Sequence, residues 1–331
     1  MKYEKYEKLS PFELKKFLIK SAEKGNPNKM LNAGGGNPNF YNRTVRRCFA
    51  HLHRICLEMI PTDEGFPNLS IYPMEDEMDF SRKLLKGIRE ITSKHDRILL
   101  RKYINFIVSS SKLDGESSNK MLHSLVTSIL GCFYPSPPQI QPFIPYILEP
   151  YMFNMIFSKA SHEVSRERPS NYEYFLTEGA AAGILYVFNS LHVNKLLNRG
   201  DTIAIITPIF SPYIELPKLE QYGLKMVLLH CDPNDDYNLP QSEINKLLEP
   251  KIKALFMVNP SNPGAYALSK DAVDSIGEIV RKKRKDLIIV SDNVYAPFTS
   301  QYNSLMEVCP KNTIEIFSLS KYFGVTGWRL G

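Results

Sequence analysis

Apolar residues in the first half of the chain recur at the three- and four-residue spacing of amphipathic helices. Phe12 to Lys24, following Ser10-Pro11, reads as one such helix. Arg43 to Ile60 reads as another, with Val45, Phe49, Leu52, Cys56 and Met59 along one side. Lys83 to Ile107, Lys120 to Gly131 and Ile144 to Ser158 are expected to be helical as well. Pro61 to Phe80, acidic and proline-containing, predicts a loop. Tyr134-Pro-Ser-Pro-Pro138 predicts a rigid connector, because proline fixes φ and removes a backbone donor.

From about Tyr172 the pattern changes. Short β-rich runs are predicted at Tyr174–Leu176, Thr202–Ile206, Lys225–Leu229, Ala254–Val258, Leu287–Val290 and Thr313–Phe317. Helical stretches fall between them, at Ala180–Leu191, Tyr213–Tyr222, Gln241–Leu248 and Lys270–Arg284. This alternation predicts an α/β fold with a mostly parallel sheet covered by helices. A mainly helical segment over residues 1–130 would precede the sheet-bearing domain over 131–331. Ligands in such folds bind beyond the carboxyl ends of the strands, so the residues after each strand are the candidates for chemistry.

Composition narrows the classes. The chain has 331 residues, 43% apolar and 23% charged, which is ordinary for a globular protein and excludes disordered, collagen-like and coiled-coil chains. The net charge of +6 is dispersed and does not imply a nucleic-acid partner. No run approaches the ~18 apolar residues of a membrane span. Five scattered cysteines form no CxxC pair, so neither a disulfide framework nor a metal site is expected, and a reducing, cytoplasmic setting fits. The basic run Arg281-Lys-Lys-Arg-Lys285 reads as a solvated helix end, where cations are favoured by the dipole.

Five strand-end motifs could carry chemistry. Ser318-Leu-Ser-Lys321 is followed, eight residues after the lysine, by Arg329. A lysine amine becomes a nucleophile where partial burial or a nearby cation helps it give up its proton, and an arginine fork suits a phosphate. Ser291-Asp-Asn-Val-Tyr295 offers Asp292 to a protonated ring nitrogen and the Tyr295 phenol to a ring oxygen. Val258-Asn-Pro-Ser-Asn-Pro-Gly264 is a rigid turn that can present the Asn262 amide. Thr177-Glu-Gly-Ala-Ala-Ala-Gly183 opens a helix whose first N–H groups form an anion site. Thr207-Pro-Ile-Phe-Ser-Pro-Tyr213 puts Phe210 where a ring could stack on a planar ligand. Each motif alone has an ordinary structural explanation; their order together is specific.

In that order they resemble the fold-type I pyridoxal-phosphate enzymes, the aspartate aminotransferase superfamily, over roughly residues 130–331. The resemblance implies the PLP-dependent transferase fold and pyridoxal 5'-phosphate as cofactor. It implies Lys321 as the Schiff-base lysine, Asp292 as partner of the ring nitrogen, and Tyr295 and Asn262 as donors to the ring hydroxyl. Ser318, Ser320, Arg329 and the N–H groups at Gly179, Ala180 and Ala181 would surround the phosphate, and Phe210 would stack on the ring. Tyr134 resembles the tyrosine that reaches the partner subunit's phosphate. The resemblance thus implies a homodimer or larger homo-oligomer, with amino acids and 2-oxo acids as substrates.

A closer resemblance lies upstream. Asn32-Ala-Gly-Gly-Gly-Asn-Pro-Asn-Phe40 is similar to the Asn-Ala-Gly-Arg-Gly-Asn-Pro-Asn-Trp motif of aspartate 4-decarboxylases, which convert aspartate to alanine and carbon dioxide and also transaminate. Gly36 and Asn262 would then touch substrate. Gly35 stands where that motif has arginine, and Ala181 where the phosphate cup usually offers a threonine hydroxyl. The family also continues well past the position of Gly331, so a C-terminally truncated chain is expected. A plain aminotransferase with another amino donor, and a non-catalytic remnant, stay open beside the decarboxylase. A nucleotide-binding domain is disfavoured, since the chain has neither GxGxxG after a strand nor GxxxxGK[ST].

Overall fold

The computed structural model describes residues 9, 11–25, 38–62, 65, 78–113, 117–131, 141, 143–156, 172–300 and 302–331. Tyr134, Gly35, Gly36 and the proline-rich connector lie outside these residues. The chain divides into two compact units: Met1–Phe40, Met155–Ser158 and Thr177–Gly331 form one, Tyr41–Asn154 and Lys159–Leu176 the other.

Tyr41–Asn154 is helical where it is described. After helix α1 (Pro11–Gly25) come α2 (Arg43–Met59), α3 (Phe80–Arg89), α4 (Lys94–Leu113), α5 (Ser118–Leu130) and α6 (Ile144–Ile156). Three of the starts carry a capping side chain: for α2 Asn42 Oδ1 accepts from Val45 N–H, for α3 Asp79 Oδ1 from Arg82 N–H, and for α5 Ser117 Oγ from Lys120 N–H. The continuous helix expected over Lys83 to Ile107 is instead two helices, parted at Glu90–Ser93. The apolar period runs through the break, but Ser93 Oγ caps Asp96 N–H and starts a new helix. Arg97 then donates back to the Ile91 carbonyl at 2.6 Å, serving an acceptor that the end of α3 leaves free. Leu84, Ile88, Ile104, Leu122 and Val126 make the buried core of this unit.

The other unit carries α7 (Ala180–Val193), β1 (Thr202–Thr207), α8 (Pro212–Glu215), β2 (Lys225–His230), α9 (Gln241–Ile244), β3 (Ile252–Val258), α10 (Lys270–Lys282), β4 (Ile288–Asp292), α11 (Leu305–Val308) and β5 (Thr313–Ile316). The five strands form one sheet, ordered β2-β1-β3-β4-β5 and parallel throughout. The central strands β1, β3 and β4 are buried on both faces, which is why they read as near-continuous apolar runs, whereas the edge strand β2 is partly exposed. Ile203, Ile205, Phe256, Val290 and Ile316 face a core that includes Ile184 and Phe188 of α7. Ala204, Ile206, Leu255, Met257 and Ile289 face a second core with Val273, Ile276 and Val280 of α10.

Three sequence expectations are corrected. No strand forms at Tyr174–Leu176; just beyond, Thr177 exchanges two backbone hydrogen bonds with Gly331 at 2.8 and 3.0 Å. The helix expected over Tyr213–Tyr222 stops after one turn, passing into a 3-10 turn at Leu216–Lys218 that contains Pro217. The basic run at 281–285 is not simply solvated: Arg284 is buried and donates to the carbonyls of Leu247, Glu249 and Ile252.

Candidate active site

The strand order places a switch point between β1 and β3, because the chain moves outward to β2 and then returns to the other side of β1. A crevice opens there, past the carboxyl ends of the strands. A cleft of about 520 Å³ occupies it. Its walls include Ala180, Ala181, Phe210, Asn262, Asp292, Tyr295, Ser318, Ser320, Lys321 and Arg329. Of the expected site residues, Gly179 alone among those described is not in the wall; it lies one residue before it, as the N-cap of α7.

Asp292 ends β4 and is buried. Its Oδ2 accepts from the Tyr213 hydroxyl at 3.0 Å and its Oδ1 from Val294 N–H at 3.2 Å. Burial pushes its carboxyl up to about 6, and the two donors hold it from rising further. Burial and the Asp292 charge also push the Tyr295 phenol up. A carboxylate on the floor of a cleft, held by two donors and facing no cationic partner of its own, is suited to a cationic ligand atom.

The opposite requirement is met at α7. Ala180 and Ala181 are its first residues, with no carbonyl one turn back to bond. Gly179 turns the chain into the helix at φ +89°, a left-handed conformation that a side chain strains. A Cβ there would stand 2.5 Å from Arg329 Nη2, so the glycine lets the guanidinium lie against the helix start. Arg329 is steadied by donating from Nη1 to the Thr326 carbonyl at 2.8 Å. Helix N-terminus and guanidinium together favour an anion. The Ser318 hydroxyl is committed within the loop: it donates to the Leu330 carbonyl and accepts from Ser320 N–H.

Lys321 leaves β5 through that loop, in the same cleft as Asp292 and Arg329. Phe210 and Asn262 reach it from the ends of β1 and β3. Sequence reasoning missed Tyr213 as the donor to Asp292. Tyr213 stands in the Thr207–Tyr213 motif, where its N–H bonds the Phe210 carbonyl in a single turn, but no spacing in the sequence ties it to Asp292, 79 residues on. Ile184, Val258 and Val294, which supply apolar wall, were missed as well. Among the described residues no cluster of three metal-ligating side chains occurs, and no helix is long and apolar enough to cross a membrane.

The chain is similar to known proteins. The chain is 37% identical over 330 residues to a bifunctional aspartate aminotransferase and L-aspartate beta-decarboxylase of Pseudomonas, covering 99% of this chain and 60% of that protein. It is 29% identical over 192 residues to an aspartate aminotransferase of Pyrococcus abyssi, 56% of this chain and 47% of that one. The chain thus spans 60% or less of the length of these relatives. A solved Thermus thermophilus aspartate aminotransferase mutant superposes with a TM-score of 0.51 at 20% identity, over 63% of this chain and 53% of that one, a likeness of fold. The aminotransferase class I and II family model matches residues 164–331, just over half of the chain. The chain therefore belongs to the class I and II aminotransferases.

Proposed function

We propose that this chain is the cofactor-binding part of a pyridoxal 5'-phosphate enzyme that acts on L-aspartate, releasing its β-carboxylate to give alanine and also transaminating. One observation carries the reading: an anion-favouring helix start with Arg329, a buried carboxylate and a lysine all line one 520 Å³ cleft. This donor set fits a flat cofactor with a phosphate at one end and a protonated ring nitrogen at the other. When bound, such a cofactor supplies an electron sink for a carbanion next to the substrate nitrogen.

The chain's own residues do the rest. Arg329 and the N–H groups of Ala180 and Ala181 hold the phosphate. Asp292, kept in place by Tyr213 and Val294, holds the proton on the ring nitrogen. Asn262 and Tyr295 donate to the ring oxygen, and Phe210 covers the ring. Lys321 would hold the cofactor through its Nζ and would serve as the base for the substrate Cα proton. Homo-oligomeric assembly and a cytoplasmic setting belong to the same proposal; the buried free thiols of Cys48, Cys56, Cys231 and Cys309 support the latter.

The test is chemical. Borohydride reduction of the chain with pyridoxal phosphate, then digestion and mass spectrometry, is expected to place the adduct on the peptide containing Lys321. An adduct elsewhere in a folded sample rejects the assignment, and Lys321→Ala should abolish both adduct and turnover. Gly35, standing where the decarboxylase motif has arginine, favours a second reading as a plain aminotransferase. Measuring carbon dioxide and alanine against amino transfer, in a protein that continues past Gly331, separates the two.

A further inference from the structure

Behind Asp292, on the opposite face of the sheet, lies a buried polar cluster that the proposed chemistry does not use. In the β4–β5 register Ser291 pairs with Glu315, so both side chains face away from the cleft. Ser291 Oγ donates to Asn293 Oδ1 at 2.7 Å, and Ser304 Oγ donates to Glu315 Oε1 at 2.6 Å. Three further atoms are buried with no hydrogen-bond partner within 3.5 Å among the described residues: Glu315 Oε2, Asn293 Nδ2 and Tyr302 OH. Tyr302 lies within the field of Glu315, its phenol pushed well up by burial and by the charges of Glu315 and Asp292. No cationic side chain among the described residues offsets the Glu315 carboxyl.

Two carboxyl groups are thus buried on adjoining strands, one on each face. Asp292 has a donor on each oxygen; among the described residues Glu315 has one donor within 3.5 Å, the Ser304 hydroxyl, with the Asn293 amide as a weaker second. A buried negative charge settles where more donors meet it. We propose that Glu315 is a positioning residue for Asp292: it stands as a neutral carboxylic acid that ties β5, beside the end of β4, to the Ser304 segment and leaves Asp292 the single negative charge at that strand end. Its burial, which pushes the carboxyl up to about 7, agrees with that state. The positioning role rests on the proposed part of Asp292 in holding the cofactor nitrogen; the protonation state of Glu315 does not.

Infrared difference spectra of the full chain without cofactor test this. Wild type minus Glu315→Gln at pH 6 should show a carboxylic-acid carbonyl band that bleaches as the pH is raised. Its absence would mean that Glu315 is ionised and would overturn the proposal. The Asp292 carboxyl, identified by Asp292→Asn subtraction, should titrate at the same pH in Glu315→Gln as in wild type, because a neutral amide replaces a neutral acid. A fall in that pH would show that Glu315 had carried charge, and would also overturn it. Ser304→Ala, which removes the nearer donor, should shift the Glu315 band and move the Asp292 titration; an unmoved Asp292 would deny the positioning role. If the Lys321 adduct fails while the Glu315 band is present, the cofactor reading fails and the neutral acid stands.

Discussion

At the scale of single residues, the site was legible wherever a side chain projects from a strand end, and illegible where one buried group supports another. Lys321, Asp292, Asn262 and Arg329 were each read from short motifs. Tyr213 was not, because a phenol buried under a carboxylate leaves no distinctive spacing. Tyr213→Phe removes one of the two donors to Asp292; a charge-assisted bond of about 1.5–3 kcal/mol predicts a turnover loss of roughly tenfold or more. The same substitution should push the Asp292 carboxyl further up, which an infrared titration reads. Asp292 also links function to stability. Its folded-state value of about 6 lies above the usual carboxylate range, so the folded chain binds the proton more tightly than the unfolded one. Its burial therefore lowers stability as pH rises from about 4 through 6, by about 3 kcal/mol at pH 8. Asp292→Asn is expected to melt several degrees higher than wild type at pH 8, without cofactor, and to turn over far more slowly.

Single elements show where periodicity alone misleads. A continuous apolar stripe over residues 83–107 hid a helix break that only the Ser93 cap revealed. The basic run at 281–285 hid a buried staple. Arg284 takes up three carbonyls that close the turn between α9 and β3, and pairs with Asp286 at 2.8 Å. Arg284→Ala strands those acceptors and should cost about 3 kcal/mol or more by denaturant unfolding, whereas Lys282→Ala on the exposed side of α10 should cost under about 1 kcal/mol. In the helical unit, the Asp96 side chain is buried between α2 and α4, with both oxygens on Arg47 at 2.8 and 2.9 Å. Those bonds hold its carboxyl down at about 2. The stability it adds is present above about pH 4 and is lost as pH falls toward 2. Asp96→Asn should therefore flatten the acid limb of a melting-temperature profile; an unchanged limb would remove the pair from that role.

For the molecule as a whole, the parallel sheet and the placing of the cleft past its strand ends follow from alternation and from the rule that ligands bind beyond strand ends; the order β2-β1-β3-β4-β5 does not, and five strands are described where six were expected. The change of pattern near Tyr172 lies close to the start of the sheet-bearing stretch at Thr177, whereas nothing in the pattern joins Met1–Phe40 to that stretch in one unit. The helical core and the two sheet cores share no residue. Leu84→Ala, in the fully buried helical core, should cost about 2–5 kcal/mol and lower one calorimetric transition while leaving a second in place. A single transition moved as a whole would mean that the units melt together. The strand order also bears on synthesis. Ala180 and Ala181 leave the ribosome first among the residues lining the cleft, then Phe210, Asn262, Asp292, Lys321 and Arg329. From β3 onward each new strand adds at the same growing edge of the sheet. Nascent chains arrested before residue 321 should therefore bury much of the sheet yet carry no reducible adduct, and cofactor capture should begin only as the last loop clears the exit tunnel.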